Sequence, residues 1–245
     1  MYVDRIEITD LDEREYASAI PAVRQIGREG LDFTSPVTFF VGENGSGKST
    51  LTEAIAAACG FNPEGGTKSF RFSTADTHSG LAAHIRVIRR AFARDGFFLR
   101  AESFYNAVSY IDELDRLPSA APPIIDSYGG KSLHQYSHGE SFLTLVTERF
   151  HGNSLFILDE PEAALSPQRQ LALLCEIDRL TKEGSQFIIA THSPILIAYP
   201  GATVFELSEN GIAGTDYRDT ATFSTVRDFI ESPERMLHYL LRSDN

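Results

Sequence analysis

No apolar run in these 245 residues approaches the roughly 18 that a membrane-spanning helix needs. Runs such as Phe187–Ala190 and Ile195–Ala198 are far shorter, so direct membrane insertion is not expected. The N-terminus, Met1-Tyr2-Val3-Asp4-Arg5-Ile6-Glu7, lacks the basic-then-apolar layout of a secretory leader, and a cytoplasmic location is the expectation. Cysteine is scarce. Cys59 and Cys175 lie far apart in segments that read as helix and form no CxxC pair, which excludes a disulfide framework and predicts two buried, reduced thiols. Positive charge is also short: 22 Lys and Arg stand against 34 Asp and Glu, a net charge of −12. The overall field therefore repels phosphate backbones, and DNA as a partner is not supported by this balance. The one local exception, Arg86, Arg89, Arg90, Arg94 and Arg100, reads more readily as a solvated strand-and-loop face than as a nucleic-acid site. No repeat of 20 to 50 residues marks a solenoid.

What is present is an ordinary globular composition, 42% hydrophobic and 23% charged, enough for one sizeable core with a smaller lobe. Val3–Thr9 alternates as a strand does. Val37–Val41 is a compact β-branched and aromatic run that ends at a glycine-rich loop, and Ser49–Ala58 follows as a helix closed by Gly60. Residues 69–101 are predicted to form a β insert of antiparallel strands at Ser69–Ser73, His84–Arg90 and Gly96–Ala101. Residues 102–150 are predicted as a small helical lobe: a helix over Phe104–Leu117, a linker at Pro118–Pro123, and a second helix from Ser137 to about Phe150. The unbroken apolar strands Leu155–Leu158 and Gln186–Thr191, separated by a helix over Pro167–Lys182, predict a mostly parallel sheet covered on both faces. Thr203–Leu207 and Ile212–Tyr217 flank an Asn210-Gly211 hairpin turn, and a final helix opens at Ser232-Pro233-Glu234. The whole, residues 1–245, reads as one α/β domain.

Gly42-Glu43-Asn44-Gly45-Ser46-Gly47-Lys48-Ser49-Thr50 contains the GxxxxGK[ST] phosphate loop between that strand and that helix. Its glycines let successive N–H groups point at phosphate oxygens, and the helix adds the positive end of its dipole. Gly42, Asn44, Gly45, Ser46, Gly47, Lys48, Ser49 and Thr50 are thus the candidate ATP cradle, with Lys48 reaching the β- and γ-phosphates and Ser49 ligating Mg²⁺. Asp159 and Glu160 end an apolar strand, where a second metal ligand and a water-activating base belong; Asp159 is the Mg²⁺ candidate and Glu160 the base.

With these motifs in order, the chain resembles the ABC-type ATPases. Gln135-Tyr136-Ser137-His138-Gly139-Glu140-Ser141 is similar to their signature loop, which binds the γ-phosphate held by the opposite subunit, so the resemblance makes Ser137, Gly139 and Glu140 nucleotide-contacting residues of a homodimer. Ser137 and Glu140 also fit a capping box. Pro161–Pro167 resembles the loop that crosses the family's dimer interface, and His192 of Thr191-His192-Ser193 its switch histidine. From Ser137 to Asp159 is 22 residues and from Asp159 to His192 is 33, close to the family's layout. The fold implied is the P-loop NTPase fold of an ABC ATPase, with a mostly parallel central sheet, an antiparallel β subdomain and a small helical lobe.

The chain departs from the pattern in three places. No glutamine lies between Gln25 and Gln135, so the family's Q-loop residue is missing, with Glu102 or Asn106 as substitutes. His138 replaces a signature glycine, and no adenine-stacking aromatic stands out, Tyr16 and the Arg24–Arg28 segment being the upstream candidates. His134 and His138 are four apart, but no third metal ligand clusters with them. The small lobe and the absent glutamine favour a compact soluble ATPase, related to the SMC/RecF-like branch and acting as a mechanochemical switch; the sequence does not name its target, DNA and defence being the candidate settings. The alternatives are the ATP-binding subunit of an ABC transporter and a nucleotide-gated interaction protein that does not hydrolyse.

Overall fold

The computed structural model describes residues 1–12, 14–63, 65–67, 80–101 and 133–241, together with positions 104, 109, 112 and 115. Its frame is a six-stranded sheet in the order β5 (Asp95–Arg100), β6 (Ser154–Asp159), β7 (Gln186–Ala190), β3 (Val37–Gly42), β8 (Thr203–Ser208), β9 (Gly211–Thr215). The first five strands run parallel and β9 returns antiparallel to β8. A smaller antiparallel sheet joins β2 (Leu31–Asp32), β1 (Arg5–Ile8) and β4 (Ile85–Ile88).

Every residue of β3, β6 and β7 is buried, as unbroken apolar strands require when both faces are covered. Alternate residues serve opposite cores. Phe40, Ile157 and Ile188 join Leu51 and Ile55 of α2 (Lys48–Ala58) and Val23 and Ile26 of α1 (Pro21–Glu29). Phe39, Phe156 and Ile189 join Phe142 and Val146 of α3 (His138–Arg149) and Leu173 and Ile177 of α4 (Pro167–Lys182). In the second core the Phe150 and Phe156 rings stack at 4.1 Å, a pairing worth about 1 kcal/mol beyond the area it buries. Helix α4 begins where its sequence says it should, with Ser166 accepting from the Arg169 N–H and Pro167 in the first turn. The N-terminus is tied to β7 by Gln186, whose side-chain oxygen accepts from the Tyr2 and Val3 N–H groups at 2.7 and 2.9 Å.

Two expectations are corrected, the placement of the Gly96–Ala101 strand and the burial of Cys175. The strand predicted near residues 96–101 as part of an antiparallel insert is β5, which pairs parallel to β6 in the main sheet, with Arg100 opposite Asp159. Its local apolar pattern suits either sheet, and only pairing decides between them. Thr203–Leu207 and Ile212–Tyr217 pair antiparallel as expected, as β8 and β9, and β8 pairs parallel with β3 on its other edge. Cys175 is exposed, on the outer side of α4, while Cys59 is buried. Helices α1 and α5 (Ala221–Glu231) were not anticipated; α5 precedes the expected C-terminal helix, α6 (Pro233–Leu240). Ser69–Ser73, the Phe104–Leu117 helix as a whole, the Pro118–Pro123 linker, Glu102 and Asn106 lie outside the described residues.

The arginine cluster is divided. Arg86 faces Glu7 at 3.7 Å, Arg90 faces Asp4 at 3.2 Å, Arg89 donates to the Ala58 carbonyl, and Arg100 points toward the strand ends. No helix among the described residues is long and apolar enough to cross a membrane.

Candidate functional site

The phosphate loop joins the end of β3 to the start of α2, and its backbone is one only glycine accepts in two places. A Cβ on Gly42 would stand 2.3 Å from the Leu207 carbonyl oxygen, and one on Gly47, at φ +96, would stand 2.5 Å from the Ile20 side chain. The Ser46 N–H is used on Glu43 O at 3.2 Å, and Leu51 opens the helical ladder on Gly47 O at 2.9 Å. The N–H groups of Lys48 and Ser49 therefore precede the first intrahelical bond and are available to an anion. Lys48 is only 4% exposed and donates to the carbonyls of Gly42 and Glu43, both at 3.0 Å. Burial lowers its pKa, and the charges of Glu160, Asp159 and Glu162 oppose that shift.

The loop shares its surroundings with the other sequence candidates on the parallel-strand ends. Asn44, Gly45, Gly47, Lys48, Ser49, Thr50 and Glu160 line one cavity, together with Tyr16. Tyr16, 78% exposed, thus stands at the loop, whereas Arg24 and Arg28 line a different cavity with Asp10 and Ser18. A second opening is walled by Gly42, Glu43, Asn44, Glu160, Glu162 and His192, with Thr222 and Val226 of α5 closing its side.

Asp159 is the last residue of β6 and is buried. Arg100 Nε lies 3.6 Å from its carboxylate, and Arg100 Nη1 donates to Glu53 at 2.8 Å. Directly after the strand, Glu160 takes φ +51 while its N–H donates to the Ala190 carbonyl at 2.9 Å. That left-handed turn releases the carboxyl from the sheet, an uncommon conformation for a non-glycine residue. Glu160 Oε1 comes to 3.5 Å from His192 Nε2, a buried nitrogen without a hydrogen bond among the described residues. The Ser46 hydroxyl, in the loop itself, is likewise buried without a hydrogen-bond partner among them. Ser46 and His192 line adjoining openings that share Gly42, Glu43 and Asn44, two orphaned polar groups that fit a polar ligand, and the Ser49 hydroxyl and Asp159 carboxylate are hard oxygen donors of the kind Mg²⁺ takes.

Ser137, Gly139 and Glu140 do not line these cavities. They form the N-terminus of α3, where the Ser137 N–H and hydroxyl both donate to Glu140, at 3.0 and 2.6 Å. Hydrogen bonds from Ser137 hold the Glu140 pKa below the usual carboxylate value, with Arg169 adding its charge. Arg169 reaches from α4 to the Ser137 hydroxyl at 3.3 Å and to Glu140 at 3.2 Å. A Cβ on Gly139 would meet the Ala164 carbonyl at 2.8 Å, so the close approach of α3 to the 161–165 turn requires glycine there.

Sequence reasoning missed Arg100, Arg169 and the role of Glu162. Arg100 faces Asp159 through sheet register, and Arg169 and Glu162 find their partners about 30 residues away, distances at which no local pattern signals a contact.

Two family models match parts of the chain. A family model described as an AAA domain matches residues 20–108, the part holding the phosphate loop. A second, described as an AAA domain, putative AbiEii toxin, Type IV TA system, matches residues 132–198, the part holding the signature segment, the paired acids and the switch histidine. The cell division ATP-binding protein FtsE of Mycobacterium tuberculosis is 24% identical over 233 residues, 86% of this chain and 99% of that protein. A putative ribose/galactose/methyl galactoside import ATP-binding protein of Rhizobium etli is 27% identical over 202 residues, 74% of this chain, which spans only 38% of that relative. Among solved structures, an ATP-binding cassette of an ABC transporter superposes with a TM-score of 0.54 at 17% identity, covering 94% of this chain and 99% of the other.

Proposed function

We propose that the chain is an ABC-type P-loop ATPase and that two copies of it close face to face over two ATP molecules, each copy lending its signature segment to the other's nucleotide; the family-model matches, the similar ATP-binding proteins and the fold support this reading. In this reading the 42–50 loop and Lys48 hold the triphosphate, with Tyr16 against the adenine. Ser49 and Asp159 hold Mg²⁺, which when bound neutralises charge on the phosphates. Glu160 orients and deprotonates the attacking water, and His192, its Nε2 3.5 Å from the Glu160 carboxylate, contacts the γ-phosphate. Ser137, Gly139 and Glu140 of the second copy complete the enclosure. Developing charge meets groups already fixed in place, so catalysis is mostly positioning and electrostatics.

One observation carries the reading: Lys48, Glu160 and His192 share one face, while the signature segment is fastened to α4 away from the cavities they line. A site divided in this way is completed by a second molecule. Glu160→Gln tests it. With ATP the variant should run as a dimer in size-exclusion chromatography and return to monomer when nucleotide is removed; a variant that stays monomeric at saturating ATP sinks the paired scheme.

A second reading concerns what the pair drives. The similar proteins carry import and cell division names, and these favour a transporter's ATP-binding subunit over the stand-alone ATPase that the sequence suggested. The stand-alone reading rests on the missing glutamine between Gln25 and Gln135. Turnover of the protein purified without detergent decides between them: full activity alone supports the stand-alone ATPase, activity only with a membrane fraction supports the subunit, and stimulation by DNA supports a DNA-directed role.

A further inference from the structure

We propose that Glu162 is the positioning residue that aims His192, acting through the main chain of the switch segment and not through contact with nucleotide. The inference rests on the reading of His192 given above. Glu162 lies in the 3-10 turn Pro161–Ala164 that follows the paired acids. Both of its carboxylate oxygens are used on one target: Oε1 accepts from the His192 N–H at 2.5 Å and Oε2 from the Thr191 hydroxyl at 2.7 Å. The Thr191 hydroxyl in turn accepts from the Ser193 N–H at 2.9 Å. Three consecutive residues are thereby locked to one side chain.

The lock is needed because the strand ends here. β7 stops at Ala190, the Thr191 N–H makes a last bond to the Phe40 carbonyl of β3 at 3.0 Å, and from His192 the segment leaves the ladder, where a histidine on a free loop would sample many orientations. A charged acceptor makes hydrogen bonds roughly twice as strong as a neutral one, enough to replace the missing ladder. A second anchor lies further along the same segment: the Ser193 hydroxyl donates to Gln170 at 2.5 Å, and the Gln170 amide donates to the Leu165 carbonyl at 3.1 Å. With its backbone held at both ends, the imidazole reaches Glu160 at 3.5 Å with Nε2 left for a ligand. Proximity alone would not carry the inference, but paired acceptance by both oxygens does.

The test is steady-state ATP turnover of His192→Ala, Glu162→Ala, Glu162→Gln and the double variant Glu162→Ala/His192→Ala. Glu162→Ala should lower kcat on the order of 10-fold with KM for ATP unchanged. On the His192→Ala background it should add almost nothing, because both changes remove the same contact. Glu162→Gln should stay within about 3-fold of the parent, since its amide oxygen can accept from the His192 N–H while its NH₂ donates to the Thr191 hydroxyl. If Glu162→Ala misfolds, Thr191→Val removes half of the lock and should lower kcat by a smaller factor at unchanged KM. Losses that add in the double variant overturn the proposal, as does Glu162→Gln as impaired as Glu162→Ala. An unimpaired Glu162→Ala beside an impaired His192→Ala sinks the positioning role alone. An unimpaired His192→Ala sinks the reading of the site and this proposal with it.

Discussion

The phosphate loop and the signature segment are both helix N-termini, yet they are held by opposite means. Lys48 is 4% exposed, its ammonium is held by two carbonyls, and Gly42 and Gly47 beside it cannot be replaced without a clash. The signature end of α3 is exposed, and its order comes from surface hydrogen bonds among Ser137, Glu140 and Arg169. Burial makes the first region rigid before any ligand arrives. The second is held by interactions that water and salt weaken, so its full worth waits until something covers it. In the proposed reading, the buried motif serves its own chain's nucleotide and the exposed one serves the nucleotide of a second copy.

Substitutions can break that contrast, beginning with the largest effect. Glu160→Gln should lower turnover by about 10² to 10⁴ while leaving ATP binding intact, as single-turnover and filter-binding measurements would read. Lys48→Ala should weaken ATP binding by about 2–5 kcal/mol, on the order of 10²-fold or more in Kd by titration with a fluorescent analogue; unchanged affinity would remove the phosphate-loop reading. Arg169→Ala should leave the ATP affinity of the isolated chain unchanged and shift the melting temperature little, because the pair it breaks is partly exposed. It should still lower turnover on the order of 10-fold through a misplaced Ser137. If Arg169→Ala instead weakens binding to a monomer, the two regions serve the same nucleotide in one chain and the contrast is false.

Much of this was legible in residues that act locally. The strand before Gly42, the glycines of the loop and the helix after it are neighbours in sequence, and they were read together. Helix α4 was legible to the residue because Ser166 and Pro167 are local start signals. Helices α1 and α5 were not: α1 is only nine residues long, although Ala22, Val23 and Ile26 on its inner face are buried, and no residue of α5 is buried at all. β5 was seen as a strand but placed in the wrong sheet, and Cys175 was placed on the wrong side of its helix, because neither partner nor facing is encoded within a few residues.

The sequence by itself determined the nucleotide chemistry, since a phosphate cradle needs only a short run of backbone with glycine at set positions and a lysine after it. Tertiary structure decided the rest of the site. Sheet pairing set Arg100 opposite Asp159, the turn after β6 brought Glu160 to His192, and Glu162 reached across from one loop to hold the next. These contacts join residues about 30 to nearly 60 positions apart, and a chain reveals such neighbours only when its strands have been laid side by side.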